Sequence, residues 1–143
     1  MRRAAALAVL LVAGCGGGTK GGDKASYVRD GNAICARYAK DIAKLGQPTT
    51  LGDISPYITK AMPIVSRTVG QVAKLDPPSD LRDAYDTFRD AAQKTLDRAT
   101  QLRNAADAGD AAQVRSLLRE ASAASKRRAG LARAAGLETC AKL

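Results

Sequence analysis

Residues 81–106 read LRDAYDTFRDAAQKTLDRATQLRNAA, and within them Leu81, Tyr85, Phe88, Ala92, Thr95, Ala99, Leu102 and Ala106 recur at alternating spacings of four and three. That alternation keeps one stripe of a helix facing a partner for more than 20 residues, which predicts a long helix with a bundle seam. Pro77-Pro78-Ser79-Asp80 precedes it, with Ser79 or Asp80 placed to cap its first amides, and Ala108-Gly109 ends it. Asp110 then opens another helical pattern with Gln113 as its capping-box partner. This pattern turns Val114, Leu117, Leu118, Ala121, Ala124 and Leu131 inward and stops at Gly136.

Two further segments lie upstream. A first helix is expected from about Lys24 to Leu45, with Tyr27, Ile34, Cys35, Tyr38, Ile42 and Leu45 on one side, and Gly46-Gln47-Pro48 ends it. A second carries Ile54, Ile58, Met62, Val65, Val69, Val72 and Leu75, with Ser55-Pro56 as its start signal. Pro63 falls inside it. A proline there deletes a backbone hydrogen bond and crowds the carbonyl of Thr59, so a kink or break is expected. Abundant alanine, four Tyr, one Phe and no Trp agree with an all-α chain whose small side chains bury little area each. The expected fold is an antiparallel up-down four-helix bundle with its second helix kinked at Pro63.

At the N-terminus Arg2 and Arg3 precede an apolar run from Ala4 to Ala13, too short for the about 20 residues of a bilayer span. The run ends in Leu11-Val12-Ala13-Gly14-Cys15. This resembles the lipobox of bacterial lipoproteins, which implies cleavage by signal peptidase II before Cys15 and a diacylglycerol thioether on its sulfur. Val12, Ala13 and Gly14 would precede the cut, and a general secretory signal is the alternative. The resemblance divides the chain into a signal peptide at 1–14, a lipidated cysteine with a Gly-rich tether at 15–26, and a helical domain at 27–143. It implies an extracytoplasmic protein held by lipid to the outer face of the cytoplasmic membrane, or to the outer membrane of a two-membrane cell.

With Cys15 lipidated, Cys35 and Cys140 are the remaining thiols, in a compartment where disulfides persist. They are expected to pair, closing the bundle between its first helix and its C-terminal tail. Four helices bring that tail back to the first helix, whereas three would put the cysteines at opposite ends. Free or metal-binding thiols are the alternative, but with no histidine they make no ordinary zinc site.

The chain carries 23 Lys and Arg against 14 Asp and Glu, a formal +9 that falls to +7 without Arg2 and Arg3. Arg115, Arg119, Lys126 and Arg133 share one face of the fourth helix, and Asp83, Asp86, Asp90 and Asp97 share one face of the third. Pairs such as Arg82–Asp86 and Asp90–Lys94 at i, i+4 suggest a solvated, self-paired surface. An anionic lipid, an envelope protein or a wall polymer is the expected kind of partner, alongside the membrane itself; oligomeric state is left open. Nucleic-acid binding is disfavoured, since no recognition motif or aromatic interleaving accompanies the charge. Arg128 lies on the inward register between Ala124 and Leu131, as a snorkelling side chain or as an anion-binding arginine.

No catalytic constellation is visible. The absence of histidine removes the usual general base and haem ligand, and there is no phosphate loop, nucleophile elbow or Glu-x-x-His pair. The expectation is a non-enzyme with no cofactor and no metal, apart from the covalent lipid. The sequence from Tyr27 to Cys35 (Tyr-x-x-x-Gly-Asn-x-Ile-Cys), the Leu75 to Pro78 and Ala108 to Asp110 turns, and the Gly136 to Cys140 ending resemble small helical lipoproteins of actinobacteria. That resemblance implies a fold and an address and no activity, because its motifs are turns and a cysteine pair. The leading expectation is a non-catalytic interaction module of the cell envelope, with the loops at 46–53 and 107–110 meeting a partner. The alternative is a bundle that binds or senses a small ligand, and an enzyme of unrecognised type is third. An apolar pocket bordered by Met62, Tyr38, Tyr85 or Arg128 would favour the ligand-binding alternative; a filled core would favour the module.

Overall fold

The computed structural model describes residues 21–143. The expected cleavage and lipidation residues, Val12, Ala13, Gly14 and Cys15, lie outside the described residues. Four helices make up the fold: α1 (Lys24–Ala43), α2 (Ile54–Val72), α3 (Arg82–Asp107) and α4 (Ala111–Ala134). Single 3-10 turns occupy Leu51–Asp53, Ser79–Leu81 and Cys140–Lys142, and no strand occurs among the described residues.

Local chemistry sets the helix ends. The Asp23 carboxylate accepts from the Ser26 amide at 2.8 Å and starts α1, a bond that also holds its pKa below the ordinary carboxylate value. Asp110 caps α4 as expected, accepting from the Gln113 amide at 2.9 Å. Ser79 and Asp80 do not cap α3. The chain leaves Pro78 as a 3-10 turn in which the Leu81 amide donates to the Pro78 carbonyl at 3.0 Å, so the turn supplies the acceptor a side chain would have given. α2 runs from Ile54 to Val72 through Pro63 without a break, and Pro63 faces solvent.

α3 packs along both α2 and α4, and α1 packs along α2. The α4 side of the molecule meets α1 chiefly through the residues that follow α4. Gly136 turns the chain there at φ +74°, a left-handed conformation that costs glycine little. Its amide donates to Arg133 and the Leu137 amide to Ala132 at 2.8 Å, the paired bonds of a Schellman ending. Leu137 is thereby folded into the interior at 0% exposure.

One face of α1 receives this tail. The Tyr27 hydroxyl donates to the Ala135 carbonyl at 2.8 Å, Asn32 Oδ1 accepts from the Thr139 amide at 2.9 Å, and Cys35 is bonded to Cys140 with the Cα atoms 5.1 Å apart. Gly31 lies between them under Leu137, so close that a Cβ at residue 31 would collide with the Leu137 side chain. The Tyr27 ring also meets Tyr85 edge-on, with centroids 5.9 Å apart. Tyr27, Ile34, Cys35, Val72, Tyr85, Phe88, Ala132, Ala135, Leu137 and Cys140 form the largest buried cluster. Away from this end the buried residues divide into smaller groups, Val65, Val69 and Ala92 in the middle and Ile54, Ile58, Ala105 and Val114 at the far end.

Two outcomes follow from this end of the molecule. The disulfide closes a sequence separation of 105 residues, so replacing both cysteines with alanine should cost about 4–5 kcal/mol in urea denaturation by the chain-entropy relation; a loss below about 1 kcal/mol would show that the tail stays docked without it. The Tyr27 phenol is pushed up to about 12, chiefly by burial and further by Tyr85. Its folded-state value exceeds the unfolded value near 10, so the stability it contributes is present below about pH 10 and is lost as pH rises through 12. Tyr27→Phe should lower stability near neutral pH by about 1 kcal/mol and blunt that alkaline loss, followed by circular dichroism across pH 9–12.5.

Candidate functional site

The tail fills the space between α1 and α4 only near Cys35. Farther along, α4 presents Leu117, Ala121 and Ala124 toward Tyr38 and Ile42 of α1, and alanine side chains are too short to bridge the gap. The result is a cavity of about 200 Å³, partly open to the surface and lined from all four helices, with Ala61, Met62 and Val65 of α2 and Thr95, Ala99 and Leu102 of α3 completing its wall. Apolar atoms dominate the lining; Tyr38, Tyr57, Thr95, Arg98 and Arg128 supply its polar groups. A smaller space of about 50 Å³ continues toward the disulfide between Cys35, Phe88, Ala92 and Leu143.

Three of the four side chains singled out from sequence therefore border one cavity: Tyr38, Met62 and Arg128. Tyr85 does not, because its ring is built into the dense end and its hydroxyl donates to the Val72 carbonyl. Arg128 is half-buried, and its Nη1 donates to Thr95 Oγ1 at 3.1 Å across the α3–α4 contact. Among the described residues no carboxylate lies within 4.0 Å of Arg128, so its charge is not neutralised by a salt bridge. Burial raises the pKa of the Tyr38 phenol, while the positive charge of Arg128 acts in the opposite direction.

Comparison with protein-family models, curated proteins and solved structures finds no match to this chain. The site must be read from its own chemistry. Among the described residues no group of three or more His, Cys, Asp or Glu is placed to hold a metal, and no helix is long and apolar enough to cross a membrane.

Other expectations from sequence are redrawn by the structure. Arg82 pairs with Asp76 at 3.3 Å and donates to the Pro77 carbonyl, across the preceding turn, instead of reaching Asp86. Asp86 and Asp90 both pair with Arg89, and Lys94 is not paired with Asp90. Leu118 is turned outward at 43% exposure, since the inward register of α4 runs through Val114, Leu117 and Ala121. With Leu51, 47% exposed, it borders an open groove of about 610 Å³ that also touches Tyr57, Ile58 and Leu102.

The two loops expected to meet a partner do lie side by side, Leu51 and Gly52 against Ala106 and Gly109. The first loop is tied together by its own side chains. Asp53 Oδ2 accepts from the amides and hydroxyls of both Thr49 and Thr50, at 2.8 to 3.2 Å, which lowers the Asp53 pKa. The three-residue spacing of Thr50 and Asp53 was the available signal. Arg98 also went unnoticed in the sequence, although it follows the inward Thr95 by three positions, where a helix turns it to the same side.

An open cavity and a filled core respond oppositely to added volume. Ala124→Leu should be neutral or stabilising by up to about 1–2 kcal/mol, because the new methylene and methyl groups enter existing space. Ala132→Leu, at a position of 0% exposure in the dense end, should cost about 1–3 kcal/mol. Denaturation midpoints of the two variants check this, and equal destabilisation would mean that the cavity is closed.

Proposed function

We propose that this protein is a non-catalytic, lipid-anchored extracytoplasmic bundle that binds a small apolar ligand between its helices. The observation that carries the reading is the cavity of about 200 Å³ bordered by Tyr38, Met62 and Arg128. A cavity of roughly 150 Å³ lined by apolar side chains takes up a ligand the size of benzene, so the space is sufficient for a small molecule. An empty space of this size in a chain with so little aromatic bulk would forfeit stability, and occupancy would restore the lost contacts. Met62 suits such a wall, because its unbranched thioether adapts to what it meets.

The anchor reading rests on the lipobox at Leu11 to Cys15, with Arg2 and Arg3 before it. An up-down antiparallel order of the four helices, with α2 bent at Pro63, is the topology that fits best. It is supported by the nearness of the start of α1 to the end of α4 through Tyr27 and Ala135, and of the 46–53 loop to the α3–α4 turn. In that arrangement the tethered end is the dense one and the cavity opens farther from the membrane. The exposed pair Leu51 and Leu118 supports a second reading, an interaction module whose far end docks on another envelope component.

Mass spectrometry tests both parts. Protein taken from the membranes of its own host should begin at a diacylated Cys15, and its organic extract should contain an apolar small molecule in near-stoichiometric amount. Ala124→Leu, which takes up part of the cavity, should leave the acylation intact and reduce the amount of the extracted molecule. An unmodified chain would overturn the anchor, and an extract that is empty or unchanged in the variant would overturn the ligand.

A further inference from the structure

Beside the apolar cavity, on the outer side of the α3–α4 contact, runs a second groove of about 320 Å³ whose character is different. Lys94, Arg98, Arg127 and Arg128 line it, and its one carboxylate, Asp90, is engaged by Arg89. None of those four cations has a carboxylate within 4.0 Å among the described residues. The groove and the cavity share Thr95, Arg98, Ala124 and Arg128, so they are two compartments meeting at a waist. Ala124 is the smallest side chain at that waist, and Arg128, bonded to Thr95 at 3.1 Å, lines both compartments.

We propose that the waist is the binding site for a single-chain anionic amphiphile, its phosphate or carboxylate head on Arg128 and Arg98 and its hydrocarbon chain in the cavity. This rests on the reading of the cavity as a ligand site and adds the head group to it. Charge and shape both select the class. A neutral apolar molecule leaves the cations of the groove without a counter-charge, and a compact polar anion leaves the cavity empty. By proportion with a cavity of roughly 150 Å³ that holds six carbons, about 200 Å³ takes a chain of roughly eight. Longer chains leave the cavity past Tyr57, Ile58 and Leu102 into the groove that carries Leu51 and Leu118, which shares those three residues with it.

Calorimetry on the full-length chain carrying Cys15→Ala, without detergent, tests this with octyl phosphate, 1-octanol and inorganic phosphate as probes. Octyl phosphate should bind at least about tenfold more tightly than either of the others, since charge-assisted bonds add to chain burial. Shortening the chain should weaken it about three- to fourfold per methylene. Arg128→Gln should reduce the advantage of octyl phosphate over octanol, and Arg128→Gln with Arg98→Gln should remove it, while octanol still binds, which shows that the variants are folded. Octanol binding as tightly as octyl phosphate to the wild type would overturn the head-group assignment and leave the cavity reading standing. Inorganic phosphate binding as tightly would overturn the role of the chain, and no binding of any probe would overturn both.

Discussion

The docking of residues 135–141 on one face of α1 is the constraint from which the rest of this molecule follows. Three unlike interactions act on the same few residues: the Tyr27 hydroxyl on Ala135, the Asn32 side chain on Thr139, and the covalent bond from Cys35 to Cys140. Each alone is modest or depends on redox conditions. Together they fix Leu137 in the interior above Gly31, where a larger residue would force the Leu137 side chain to shift. The spacing Tyr27, Gly31, Ile34, Cys35 along α1 is the spacing a helix needs to offer one continuous face to such a tail.

The same tail explains why the bundle is dense at one end and open in the middle. It lies between α1 and α4 and separates them by its own thickness, and past its end nothing of similar size takes its place. Ala121 and Ala124 of α4 and Ala61 of α2 line the space that remains. Arg128 sits at the boundary, lining both the apolar cavity and the cationic groove, with its guanidinium bonded to Thr95. An alanine-rich composition therefore has two consequences here. Where the tail intrudes, small side chains such as Ala132 and Ala135 admit it closely; where it does not, they leave room.

Periodicity made the helices legible, because apolar recurrence at three and four residues reflects which side faces a partner, and the long stripe from Leu81 to Ala106 left little freedom. The pairing of Cys35 with Cys140 is legible by elimination if Cys15 is read as the lipidated residue. What escaped was governed by geometry that spacing does not encode. Arg82 has Asp86 one turn along its own helix, yet Asp76 across the Pro77-Pro78 turn is the partner it reaches. Leu118 and Leu117 look equivalent as letters, but a rotation of about 100° per residue puts only one of them inside. The cavity could be anticipated as a list of border residues and not as a volume, since volume depends on how far apart the tail holds α1 and α4. Tyr85 illustrates the limit: its inward register was right, and its neighbourhood belonged to the other end of the core.

The central claim is that the core is filled at the end where the tail docks and open in the middle. Methyl NMR of the folded protein under xenon tests it most directly, because xenon enters dry apolar cavities and leaves close-packed regions alone. Shifts should be confined to Met62, Val65, Leu102, Leu117 and Ala124, with Ala132, Ala135 and Leu137 unmoved. Shifts of similar size at both ends, or none at the middle residues, would contradict the account.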